Sequence, residues 1–140
     1  MEREKRLEAI SLSETAVLED LADQVLETVE VEVARGPSIG LLMVRIEEPA
    51  ERVQFNFVEV TVSEAEVTAR GQRGYAMVMG REVEKALAGA ILDLAIELKH
   101  PSTPAIERRL AAALDREDER RAALVARVEP SRVLFEEMRP

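Results

Sequence analysis

The chain reads as an α+β domain, a four- to five-stranded, mostly antiparallel sheet with helices packed on one face. Three observations lead there. Between Val29 and Met79, short β-prone segments follow one another through links too short for a crossover helix. After Gly80 the apolar residues switch to helical spacing. With 140 residues, 46% hydrophobic and 34% charged, the chain can bury one core but not two.

Helices open the chain. Leu7 and Ile10 close a short charged helix, and Ser11 is predicted to cap the next one, because Glu14 stands three residues on. The apolar face of that second helix is Val17, Leu18, Leu21 and Val25. Val29, Val31 and Val33 then alternate with Glu30, Glu32 and Ala34, the period of a half-exposed strand. Arg35 to Ser38, with Gly36-Pro37, reads as a turn. Leu41 to Ile46 is almost wholly apolar and is predicted as a central strand.

A third strand changes phase partway. Val53, Phe55 and Phe57 are odd-numbered, whereas Val58, Val60 and Val62 are even. Either a bulge near Asn56-Phe57-Val58 reconciles the two sets, or the strand is buried on both faces. Ala65, Val67 and Ala69 form a fourth strand, Gly71 to Gly74 a hairpin loop, and Tyr75 to Met79 a fifth strand. A helix follows, with Val83, Leu87, Ala90, Ile91, Leu94 and Leu98 in one stripe, stopped by Pro101 and Pro104. Another begins with Ile106, Leu110, Ala113 and Leu114. The mixed charges from Asp115 to Arg121 then make a solvated helix face, and Pro130 ends that helix before an apolar tail. The organisation is one domain over 1–140. Helices occupy 1–27, the sheet 28–79, helices again 80–129, and a tail 130–140.

Composition excludes several classes of function. The formal net charge of -9 and only four aromatic residues argue against nucleic-acid binding. No cysteine is present, which removes disulfides, iron–sulfur ligation and thiol nucleophiles. A single histidine, His100, cannot make a multi-histidine metal site, and beside Pro101 it reads as a helix C-terminal cap. No window is apolar enough to span a membrane and the N-terminus is not a signal peptide, so no membrane role is expected and the cytoplasm is the expected location.

A few side chains carry possible chemistry. Arg81 follows Gly80 at a strand-to-helix junction, where backbone N–H groups favour an anion. It either grips a phosphate or partner carboxylate, or pairs locally with Glu82 or Glu84. Arg52 and Arg132 are positive charges inside apolar segments, which points to a partner. Glu59 is an acid in an apolar setting, read either as functional or as an exposed edge-strand residue. Tyr75-Ala76-Met77-Val78-Met79 and Val133-Leu134-Phe135 are either adaptable interface surface or ordinary core.

The ordered words Glu51-Arg52, Phe55-Asn56, Glu59-Val60-Thr61-Val62, Gly74-Tyr75, Gly80-Arg81 and Ser131-Arg132-Val133, with Phe135 and Met138, resemble the G subunit of the bacterial carbon–phosphorus lyase core complex, the PhnG family of phosphonate metabolism. The resemblance covers nearly the whole chain. It implies a cytoplasmic subunit that works with H-, I- and J-type subunits, each present twice, so that self-association is expected as a homodimer. The implied activity, shared with the H, I and L types, displaces adenine from ATP with a phosphonate, giving ribose 1-phosphonate 5-triphosphate. Metal- and cluster-binding residues belong to other subunits, so no cofactor is implied for this chain. Positions matching the family pattern are Arg52, Glu59, Tyr75, Gly80, Arg81 and Arg132, held as structural, substrate- or partner-binding residues. One departure stands out: Lys85-Ala86-Leu87 occupies the place where the family often has His-Ala-Glu.

The residues themselves favour a scaffold subunit over a stand-alone enzyme, since no positioned nucleophile and base is legible. Two rivals remain. One is a stand-alone anion-binding or regulatory module in which Arg52, Arg81 and Arg132 converge on a phosphate. The other is a hydrolase with Glu59 and a second acid within roughly 10 Å in a cleft.

Overall fold

The structure, a computed structural model, describes residues 1–47 and 54–137, with side chains described for 1–45 and 58–127. Helices α1 (Arg3–Leu12) and α2 (Thr15–Leu26) lead into strands β1 (Glu32–Glu47), β2 (Gln54–Ala69) and β3 (Gln72–Met79), followed by α3 (Val83–Glu97) and α4 (Thr103–Glu137). The strands form one antiparallel sheet in the order β1-β2-β3. The α+β class and the helix-covered face agree with the sequence reading.

Among the described residues the sheet has three strands, not four or five. The segments read as separate strands at Val29–Val33 and Leu41–Ile46 join in one long β1 that starts only at Glu32, because Gly36-Pro37 bends the chain without ending it. Pairing with β2 continues through register shifts between Val33, Arg35 and Ser38. Gly36, at φ 75°, lies against the Glu64 carbonyl, where a Cβ would overlap it. Likewise the third and fourth predicted strands are one β2. Its register shift sits between Ile46 and Glu47, where Asn56 and Gln54 are the partners and Phe55 is the extra residue. The bulge is thus near the place expected but not at Asn56-Phe57-Val58. Burial on both faces, the alternative, does not hold for the described part of the strand, because Val58 is exposed. Side chains at Phe55 and Phe57 lie outside the description, as do Glu48, Val53 and Met138.

The β2–β3 turn is tighter than the predicted Gly71–Gly74 loop. Ala69 pairs with Gln72, leaving Arg70 and Gly71 as a two-residue loop with φ of 49° and 77°. Arg70 also donates to the Thr28 carbonyl at 3.2 Å, tying the hairpin to the end of α2.

One face of the sheet is the core. Ala65, Val67, Gly74, Ala76 and Val78 are buried against α3. Contact is close because two positions lack a side chain. A Cβ at Gly74 would overlap the Ala90 carbonyl oxygen, and one at Gly89 would overlap the Ile10 side chain. α1 packs against both β3 and α3, and α2 packs on α3; together they contribute Ala9, Ile10, Leu18, Leu21 and Val25 to the core.

Helix ends differ from expectation in instructive ways. Ser11 belongs to α1 and donates to the Glu8 carbonyl at 2.7 Å, so α2 starts from Glu14 without a side-chain cap. At the end of α3, Lys99 takes φ 55°. Lys99 and His100 N–H then reach the Ile96 and Ala95 carbonyls at 3.0 and 2.9 Å, a Schellman closure. Pro104 lies within the first turn of α4, where its missing N–H is an orphan donor anyway, so it helps start that helix. Pro130 does not stop α4, which runs on to Glu137 and makes the tail helical.

Glycine at 74 is expected to be required for this packing. Gly74→Ala should lower stability by about 1–3 kcal/mol through overpacking. Gly40→Ala, with open space around its Cβ, should stay within about 0.5 kcal/mol. Urea denaturation of both variants checks the contrast.

Candidate functional site

Among the sequence-predicted residues with described side chains, Tyr75 and Arg81 line different grooves. Arg52 lies outside the described residues, and Arg132 is on the distal part of α4 with its side chain outside the description. Glu59 is exposed on β2 opposite Met43, not in the dry setting that carboxylate chemistry needs. Arg81 is exposed at the β3–α3 junction and, among the described residues, has no ion pair with Glu82 or Glu84.

That junction is built by Ser63. Fully buried on β2, its hydroxyl donates to the Gly80 carbonyl at 2.6 Å and accepts the Glu82 N–H at 2.8 Å. Gly80, at φ 90°, donates to the Thr61 carbonyl at 2.7 Å. One strand hydroxyl therefore caps α3 from outside the helix. Lys85, the first residue of the Lys85-Ala86-Leu87 departure, is buried. Its ammonium donates to the Ser11 carbonyl at 2.8 Å and ties α3 to the end of α1. Here that position is structural.

A cluster that sequence reasoning missed lies deeper. Asp93 of α3 is 0% exposed. Oδ2 accepts from Arg3 at 2.7 Å and from the Tyr75 backbone N–H at 2.9 Å, while Oδ1 accepts from Arg6 at 2.7 Å. Arg6 also donates to Glu97 at 2.7 Å. Burial works against the Arg6 charge, but the hydrogen bonds to Glu97 and Asp93 outweigh it and raise its pKa. The available signal was Asp93 itself, the one charge between Ala86 and Ile96.

Above this cluster opens a groove of about 580 Å³ lined by Arg3, Leu7, Arg35, Glu66, Arg73 and Tyr75. Arg35, Glu66 and Tyr75 stand in one row across the three strands. Arg73 pairs with Glu66, and Tyr75 Oη donates to Glu64 at 2.9 Å. Burial first, then that hydrogen bond, pushes the Tyr75 phenol up to about 12, so it stays a neutral donor. Three guanidinium groups at one groove can hold an oxyanion or a partner's carboxylate. Of the residues expected from sequence, only Tyr75 belongs here.

His100 resembles half of a catalytic pair but is not arranged as one. Nδ1 accepts the Ser102 N–H at 3.1 Å, which places the proton on Nε2. Nε2–H then donates to Thr28 Oγ1 at 2.6 Å, and the hydroxyl in turn donates to the Val25 carbonyl at 3.4 Å. With its protonated nitrogen toward the hydroxyl, the imidazole is no base for it. It locks α2 to the α3–α4 link.

These features define an α+β protein with a rigid helical layer, a charged groove and a projecting hairpin, organised around no reactive pair among the described residues. The family described as "Phosphonate metabolism protein PhnG" matches residues 1–139, and the chain belongs to that family. One relative is the alpha-D-ribose 1-methylphosphonate 5-triphosphate synthase subunit PhnG of Rhizobium meliloti (strain 1021). It is 34% identical over 124 residues, which cover 84% of this chain and 80% of the relative.

Asp93→Ala is expected to cost about 3–5 kcal/mol, since it strands the buried Arg6 charge; chemical denaturation measures it. Tyr75 is the single tyrosine, so its ionisation is read directly by ultraviolet absorbance. Half-ionisation near 12 is expected for the folded chain and about 10 in denaturant. Because the folded value is the higher one, the stability it contributes is whole below about pH 10 and lost as pH climbs to about 12.

Proposed function

We propose that this chain is a non-catalytic or co-catalytic subunit of the carbon–phosphorus lyase core complex. With H-, I- and J-type subunits, two copies of each, it assists the synthesis of ribose 1-phosphonate 5-triphosphate from ATP and a phosphonate in the cytoplasm. The reading is carried by the 34% identity to a relative named as a subunit of such a synthase. No described helix is long and apolar enough to cross a membrane.

A second reading has one observation in its favour. The groove bearing Arg3, Arg35 and Arg73 suits a phosphate, so the isolated chain would act as an anion-binding module. Arg35 is its exposed arginine without an ion pair among the described residues.

Reconstitution tests the first reading. Adenine release from ATP and methylphosphonate should require this chain together with the other subunits. Turnover by the purified chain alone, or undiminished turnover without it, would overturn the proposal. Calorimetric titration of the isolated chain with ATP separates the second: binding that Arg35→Ala weakens about tenfold favours the module, and no binding favours the subunit.

A further inference from the structure

The β1–β2 hairpin is longer than the sheet it belongs to. β3 pairs with β2 only from Ala69 back to Val62, so residues 41–47 and 54–61 continue as a two-stranded arm with no third strand. Apolar side chains line both faces of it. Opposed residues in an antiparallel pair share a face, so Leu41 and Met43 lie on one face, 66% and 59% exposed. Leu42 and Val44, opposite Val60 and Val58, lie on the other and are also exposed. The outer edge of β1 has no partner strand among the described residues. A two-stranded ribbon of this kind is marginal alone in water, and a long apolar edge invites pairing.

We infer that this arm inserts into a cleft of a companion subunit, apolar on two opposing walls and rimmed by basic side chains. The inference rests on the proposed subunit role and adds to it the surface and the chemistry of the contact. Area decides between one covered face and two. Seven residue pairs span about 23 Å on a ribbon about 10 Å wide, so a single face offers on the order of 200 Å². A stable pair needs about 800 Å² from each partner. Both faces plus the β1 edge come much nearer that value than a second copy stacked on one face. Charge indicates the rim: the chain carries a formal net charge of -9, and Glu59, opposite Met43, adds an exposed acid to the arm.

Co-expression with the H-, I- and J-type subunits, followed by native mass measurement, is the test. Two double variants are compared with the parent chain: Leu41→Asp with Met43→Asp, and Leu42→Asp with Val44→Asp. Circular dichroism of each alone checks folding; should either fail, Leu41→Ser and Leu42→Ser replace them. Each face's variant is expected to cut incorporation at least tenfold, and the loss in the parent should steepen with salt. Normal incorporation of either variant overturns the two-walled cleft. A purified parent chain that dimerises through residues the variants disrupt makes a second copy the occupant, and also overturns it. If variant and parent alike stay out of the assembly, the subunit role itself falls and takes this inference with it.

Discussion

A single carboxylate with no exposure holds three elements together. Asp93 sits on α3, yet its acceptors are filled from α1 by Arg3 and Arg6 and from β3 by the Tyr75 N–H. A buried carboxylate is tolerable only when its lone pairs are met by charged or backbone donors, so α1 has to lie where its two arginines reach it. The Tyr75 N–H belongs to the edge strand β3, and a side chain thus closes an edge site that would otherwise invite a further strand. Arg6 completes the arrangement by reaching Glu97 one helical turn further along α3.

Close approach of the helical layer follows from the same packing. Gly74 and Gly89 lie on the two sides of the contact, one on β3 and one on α3, and each removes the atom that would keep its neighbour away. Ser63 then fixes where α3 begins, and His100 with Lys99 fixes how it ends. The groove of Arg3, Arg35 and Arg73 is a by-product of this geometry. Arg3 is placed by Asp93, Arg73 by Glu66, and Arg35 by the register shift that follows Val33.

The body and the projecting parts contrast in their energetics. Core residues of β2, α2 and α3 are buried within the chain, while the arm and the distal part of α4 carry exposed apolar residues such as Met43 and Val125. Along α4, Glu117 pairs with Arg120 and Arg121 at helical spacing, so the mixed-charge run supports its own helix.

The α+β class, the helical faces, the presence of a hairpin at Gly71 and the strand-to-helix break at Gly80 were legible in the sequence, because hydrophobic period and glycine placement are local properties. So was the family resemblance. Strand number and position were not. Leu41–Ile46 reads as central because apolar residues on both faces usually mean burial inside the chain, and here the strand is at an edge. Nor was the groove legible. Arg3, Arg35, Arg73 and Asp93 are separated by tens of residues, and ordinary surface arginines look the same on the page. Only the folded chain decides which charges meet, since desolvation of Asp93 exists only once three distant segments have closed around it.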